Sequence, residues 1–232
     1  MTGALTVAKR MPGGPNEAHT FLQSIARQIA TTNDAGHPYI VPESAFGQTK
    51  SNLDPEEVKN LFADFAIRDP WTQMSQIADR IGLKAVHNLR DDFTNFALLR
   101  HQCAHDATTN IQPSDLQTMA RVAVAISAAF DILLSAAVWL PLPAMKEGKH
   151  QKREIQDSIK IRFLIQSSSG WRDIKENGTR AAKVYPNLRQ ALKAKHAGFV
   201  TPNSQPQTVI IRDGSDDVEG WIPCIFSVVT RL

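Results

Sequence analysis

Residues 86–105 read VHNLRDDFTNFALLRHQCAH, a stretch that predicts an amphipathic helix ending in a cluster of arginine and histidine. Its apolar positions recur at steps of three, four and three, as on one helical face: Val86, Leu89, Phe93 and Phe96. The next step of four reaches Arg100 instead of an apolar residue. We therefore expect Arg100 on the buried or interfacial side, and His105 at the helix end, before the polar run 106–110.

The pairing of Arg100 with His105 suits the cleavage of RNA without a metal ion. Five residues of regular helix turn by about 500°, so the two side chains would leave the axis about 140° apart. The predicted helix end at His105 would let the histidine swing towards the arginine. A histidine can transfer a proton near neutral pH, an arginine can hold phosphate oxygens, and the ribose 2′-hydroxyl would be the nucleophile.

A long apolar helix is predicted to follow, over residues 113–139. It is apolar nearly all round, which is typical of a helix at the centre of a bundle or in a subunit interface, and we expect both. A membrane span is not expected, because Arg121 and Asp131 interrupt the run. Asp131 would need a partner there, and Arg100 or another cation could pair with it, either as structure or to orient the active site.

The N-terminal part divides into short predicted elements. Residues 1–14 form a flexible leader, 16–32 a first helix and 33–54 a long loop rich in Gly, Pro, Ser and Asn. Two more helices are predicted, over residues 55–67 and 70–81, because each segment begins with a proline that follows an aspartate. We take residues 15–142 as one helical domain.

The pattern changes after residue 142. Residues 143–155 form a charged linker, and the remaining residues, 156–232, a small α+β domain of unknown role. Its predicted elements are a strand near 159–164, a helix over 188–197, and a hairpin of 208–213 with 221–229.

Charge and cysteine content limit the classes of function. The net charge of +3 divides into −2 for residues 1–150 and +5 for residues 151–232. The C-terminal part is thus the better candidate for a phosphate-binding face, although ordinary solvated lysines would give the same count. Two distant cysteines, Cys103 and Cys224, fit a reducing compartment, and no signal peptide is recognised, so a cytoplasmic location is expected.

The segment LLRHQCAHD, followed by QPSDLQTMARVAV, resembles the HEPN family in its RiboL-PSP-like branch. The resemblance covers about residues 15–140 and implies a mainly α chain, with a HEPN-like helical bundle followed by the small α+β domain. It also implies a homodimeric, metal-independent endoribonuclease without cofactors, in a defence or toxin–antitoxin setting. Its partners would be RNA and an antitoxin or regulatory protein. Arg100 and His105 would be catalytic and His101 would support them. Asp106 stands where the family often has glycine, and it could orient His105 or repel phosphate.

Other interpretations remain open. The chain could be a non-catalytic HEPN adaptor that dimerises and binds a protein or nucleotide, or the antitoxin side of a two-gene system. His101 and His105 have a zinc-binding spacing but lack the intervening glutamate of H-E-x-x-H, so no metal site is expected. Cys103 is predicted to be a small packed residue. The neighbouring carboxylates Asp91 and Asp92 are interpreted as a solvated helix face.

Overall fold

The computed structural model describes the chain in five ranges: residues 54–83, 88–105, 111–146, 149–199 and 205–223. The leader predicted over 1–14, the helix predicted over 16–32 and all but the last residue of the loop predicted over 33–54 lie outside these ranges. All the described residues belong to one compact unit.

The described helices begin where the sequence has local start signals. They are α1 (Pro55–Ala63), α2 (Pro70–Arg80), α3 (Leu89–His105), α4 (Pro113–Trp139) and α5 (Leu188–Phe199). Before α1, the carboxylate of Asp54 accepts the backbone N–H of Glu57 at 2.9 Å, and the Asp54 N–H donates to the Glu57 carboxylate at 3.1 Å. Before α2, the carboxylate of Asp69 accepts the backbone N–H of Thr72 at 3.4 Å and the Thr72 hydroxyl at 2.7 Å. Such caps satisfy backbone donors that a helix leaves open at its first turn.

The described strands form two sheets. They are β1 (Met145–Lys146), β2 (Lys149–His150), β3 (Lys160–Ser167), β4 (Gly170–Lys175), β5 (Ala181–Tyr185), β6 (Gln207–Arg212) and β7 (Val218–Ile222). β1 and β2 form a short hairpin, and the other five strands form one sheet in the order β5-β4-β3-β6-β7. The central pair, β3 and β6, is parallel, with Phe163 opposite Ile210, and the other three pairs are antiparallel.

Side chains on both faces of the five-stranded sheet are buried. One face, with Ile161, Phe163 and Ile210, joins the large hydrophobic core of the helices. The opposite face carries Leu164 and Val209, which pack in a second core cluster with residues of α5. The sheet is therefore the middle layer between α5 and the layer of α1 to α4.

Small side chains let α2 and α4 pack closely together. α4 buries five alanines along its length: Ala125, Ala128, Ala129, Ala136 and Ala137. They lie in the core cluster that also holds Met74 and Ile77 of α2. Because the distance between two helix axes depends on the side chains at their contact, alanines allow a close approach.

Three arginines connect the helical layer to the sheet and its connections. Arg153 donates to the carbonyls of Ala137 (3.0 Å) and Pro141 (2.7 Å) at the end of α4. Arg212 of β6 donates to the carbonyl of Ile81 at 2.9 Å, just after α2. The free carbonyls of a helix end carry partial negative charge, so a cation there is favourable.

The third arginine, Arg80, forms a two-pronged pair with Glu176 at 2.7 and 2.8 Å. It also donates to the carbonyl of Ile159 at 2.7 Å, just before β3. This residue therefore ties the end of α2 to the β3–β4 pair.

The expected fold class, a mainly α chain built on a helical bundle, is wrong. The described part is 50% helical and 24% strand, with a five-stranded mixed sheet. The physical reason is that the apolar faces of the helices pack against one face of the sheet and do not pack only against one another. The predicted linker, 143–155, connects elements that contribute to this same core.

α4 is the helix, among those described, whose length and composition would allow it to cross a membrane. Half of its most apolar window is buried inside the protein, and the core helix of a soluble protein has the same properties. Its buried residues include Ile132 and Leu133, both fully inaccessible to solvent.

Candidate functional site

The predicted arginine–histidine cluster lies on the last two turns of α3, which stays helical through His105. The side chains of Arg100, His101 and His105 are all exposed. The rings of His101 and His105 lie 4.4 Å apart between centroids, with 56° between their planes. The structure therefore brings these two histidines together. Asp106 lies outside the described residues.

The apolar stripe that leads to Arg100 becomes more exposed along α3. Leu89 is fully buried, Phe93 and Phe96 are half-buried, and Arg100 is exposed. α3 thus emerges from the core towards its C-terminal end. Arg100 continues the stripe, as the sequence predicts, but within one chain this position is open to solvent.

Helical geometry places the histidines and Arg100 on different sides of α3. At about 100° per residue, Leu98, His101 and His105 fall within about 60° of one another, whereas Arg100 is about 140° from His105. Leu98 is 56% exposed. The outer face of α3 therefore combines two imidazoles with an exposed apolar side chain, and Arg100 projects from the side of the stripe.

A small cleft of about 180 Å³ lies between α3 and α4. Its lining combines a few polar groups with an apolar floor: Asp92, Asn95, Phe96, Leu99, Thr118, Met119 and Val122. Pockets for drug-sized ligands usually measure about 300–1,000 Å³, so this cleft suits a single side chain or a similarly small group. Leu99, which lines the cleft, directly precedes Arg100 on α3.

Asp131, the predicted partner of a cation, accepts a hydrogen bond from the indole N–H of Trp221 at 2.9 Å. Asp131 is half-buried on α4 and Trp221 lies on β7, so the bond joins the helical layer to the sheet. A neutral indole donor can satisfy a carboxylate oxygen without bringing a second charge into the core. This contact gives Asp131 a structural role in the described part of the chain.

The other chemically active side chains of α3 near the cluster are Cys103, Asp91 and Asp92. Cys103 was predicted to be packed and is exposed, so that prediction is wrong. Asp91 is exposed, and its backbone N–H donates to Asn88 at 2.9 Å, whereas Asp92 is buried beside the cleft. Within the described ranges, no group of three or more His, Cys, Asp or Glu side chains could hold a metal ion.

The sequence did not indicate a buried charge cluster on the α5 side of the sheet. Asp173 of β4, 2% exposed, accepts hydrogen bonds from Arg162 (Nη2, 2.6 Å) and from Lys195 of α5. Burial raises the pKa of the nearby Tyr185 hydroxyl, the negative charge of Asp173 raises it further, and Arg162 opposes the rise. The alternation of Lys160 and Arg162 with apolar residues along β3 is visible in the sequence, but it does not identify the partners of these charges.

Comparison with known proteins gives no relative: no family model, no curated protein and no solved structure matches the chain. The resemblance to HEPN proteins therefore depends on the motif residues alone.

Proposed function

We propose that the protein is a metal-independent endoribonuclease whose reaction centre includes Arg100, His101 and His105. The observation that carries the proposal is the pair of exposed imidazoles, 4.4 Å apart on the outer face of α3, one residue beyond an exposed arginine. These groups can bind a phosphodiester and move protons, which is what cleavage through the ribose 2′-hydroxyl needs.

In the proposed reaction, a neutral imidazole removes the proton of the 2′-hydroxyl, whose oxygen then attacks the adjacent phosphorus. The bond from phosphorus to the 5′ oxygen breaks, and a protonated imidazole gives that oxygen its proton. The products are a 2′,3′-cyclic phosphate and a 5′-hydroxyl. Histidine suits both steps because its reference pKa is about 6.5. Arg100 would hold the phosphate oxygens while negative charge develops on them.

A second copy of the chain would complete this centre. Arg100 and His105 diverge by about 140° on one helix, so one phosphodiester is more easily reached by the arginine of one copy and the histidines of the other. Exposed apolar side chains near the cluster support such an interface: Leu98 is 56% exposed on α3, and Leu116 is 54% exposed on α4.

Cleavage of RNA in the presence of EDTA tests the proposal. Wild type should cut a single-stranded RNA and leave DNA of the same sequence intact, since DNA has no 2′-hydroxyl. His105→Ala and Arg100→Ala should each lower the rate at least 100-fold, within the usual range for lost acid–base groups or charge stabilisers. His150→Ala is the matched control, because His150 is an exposed histidine on β2, away from α3 in the chain.

Equal cleavage by wild type and His105→Ala would refute the catalytic proposal. The expected defence or toxin–antitoxin setting belongs to the same proposal. Expression of wild type should arrest bacterial growth, and expression of His105→Ala should not.

A non-catalytic adaptor is the second candidate, and the exposure of Leu98 favours it. An apolar side chain beside two imidazoles is also suited to binding a partner protein. In that case Leu98→Asp would abolish dimerisation or partner binding, and none of the α3 variants would change RNA turnover.

A further inference from the structure

One edge of the five-stranded sheet carries exposed positive charge without exposed acids nearby in sequence. We define this basic edge by four exposed residues: Lys175, Arg180, Lys183 and Lys193. The sequence from 177 to 199 contains no aspartate or glutamate. In the described part of the chain, none of these four side chains forms a salt bridge.

The four residues lie on elements that are neighbours in the fold. β5 is the last strand of the sheet, paired with β4. α5 packs against both β4 and β5. Lys175 ends β4, Arg180 directly precedes β5, Lys183 lies within β5 and Lys193 lies on the exposed side of α5.

The two acidic residues next to the basic edge, Asp173 and Glu176, are both paired with other cations. Asp173 is buried and bound by Arg162 and Lys195, and Glu176 is bound by Arg80 at 2.7 Å. Their negative charge therefore offsets other cations and does not reduce the field of the basic edge. The four exposed cations of the basic edge are therefore not offset by these two carboxylates.

We propose that the basic edge binds the phosphate backbone of RNA. Exposed cations on two neighbouring strands and an adjacent helix fit a polyanion. Trp171 is half-buried and Tyr185 is buried, so neither offers an open ring for base stacking. Binding should depend little on sequence, because contacts to phosphate carry no sequence information. One exposed apolar residue in β5, Val184, gives little for insertion into a membrane, which disfavours anionic lipid as the partner.

The choice of RNA rests on the proposed function, in which the edge would hold the strand that the α3 cluster cuts. The charge distribution itself does not depend on that function. The two proposals can be separated with a 2′-O-methyl RNA of 20 nucleotides, because a blocked 2′-oxygen cannot attack and only binding is measured.

Fluorescence anisotropy at several salt concentrations measures this binding. For single strands the slope of log K against log salt is about −0.7 per phosphate contact, so four contacts give about −2.8. Raising the salt from 50 to 200 mM should then weaken binding of the full chain about 50-fold. The variant with Arg180, Lys183 and Lys193 all changed to glutamine should keep one phosphate contact. Its binding should therefore weaken only about 2.6-fold over the same rise in salt.

The matched control changes three exposed cations of the helical layer, Lys59, Arg68 and Arg90, to glutamine. It has the same net charge as the test variant and should keep the wild-type slope. Equal slopes for the two triple variants would overturn the proposal, as would binding to phosphatidylserine vesicles without binding to the RNA. If the basic edge binds RNA in a salt-dependent way but the protein cleaves no RNA, the proposed RNA-binding surface is supported and the proposed ribonuclease activity is refuted.

Discussion

Replacing Arg212 by alanine should destabilise the fold by about 2–4 kcal/mol, because this side chain makes three contacts between layers and within the sheet. Its guanidinium carbon lies 4.4 Å from the ring centroid of Phe163, and Nη2 donates to the carbonyl of Ile81 at 2.9 Å. Nη1 pairs with Asp216 at 2.9 Å. The Arg212 side chain is 14% exposed, so most of these contacts are shielded from solvent.

The three contacts differ in weight. A hydrogen bond from a charged donor contributes about 1.5–3 kcal/mol. A cation over an aromatic ring contributes about 0.5–2 kcal/mol, depending on desolvation. The pair with Asp216 contributes about 0–1 kcal/mol, because that carboxylate is 63% exposed. The Arg212 Nε is buried and has no acceptor among the described residues, which lowers the expected total below the sum of about 2–6 kcal/mol.

Urea unfolding followed by tryptophan fluorescence measures this loss. Arg212→Ala should lower the midpoint with an unchanged m-value. Arg212→Lys keeps the positive charge but not the planar guanidinium, so it should lower the free energy of unfolding by about half as much as Arg212→Ala. Asp216→Asn should cost less than about 1 kcal/mol. The reasoning is refuted if Arg212→Ala costs no more than Asp216→Asn.

Three further predictions concern the core and the sheet. Ala129→Leu should overpack the α2–α4 contact and cost about 1–3 kcal/mol in chemical unfolding, whereas leucine at the exposed Ala120 should change little. Asp131→Ala and Trp221→Phe should show a coupling of about 0.5–3 kcal/mol in a double-mutant cycle, and additive effects would contradict their hydrogen bond. The raised pKa of Tyr185 means that the folded state favours the neutral hydroxyl. The stability from this group is complete below about pH 10 and is lost as the pH rises through the folded pKa, so Tyr185→Phe should flatten the alkaline fall in stability measured by unfolding at several pH values.

The helices of the described ranges could be predicted well because their signals are local. Asp54-Pro55 and Asp69-Pro70 contain both the cap and the first residue of a helix. The long helix over 113–139 was predicted with the bounds that α4 has. β3 and β6 were also anticipated, because apolar residues alternate or cluster there. The strand predicted over 221–229 shares only residues 221–222 with β7, which begins at Val218, and residues 224–229 lie outside the described ranges.

β4 and β5 could not be predicted, because what makes them strands is not local. Asp173 of β4 binds Arg162, its diagonal neighbour on β3, and Lys195 of α5, which lies 22 residues later in the chain. A sequence shows three separate charges and gives no sign that they neutralise one another. The fold class was wrong for the same reason, since an apolar helix face does not specify whether a helix or a sheet will cover it.

The candidate site was identified only in part from sequence. Arg100, His101 and His105 stand out as a motif, but the pairing of the two imidazoles and the separate direction of Arg100 depend on α3 staying helical through His105. The partner of Asp131 lies 90 residues away in the chain and had no sequence signal.

The arginines at the ends of α2 and α4 have a consequence for how the protein unfolds. Arg153 and Arg212 bind backbone carbonyls, so a helix end loses its partner as soon as the segment carrying the arginine moves away. Neither helix can fray without loss of a contact to the other part of the fold, and the sheet cannot detach while both helix ends stay capped. We therefore expect the helices and the sheet to melt in one cooperative transition, and the isolated segment 54–142 to be unstable alone.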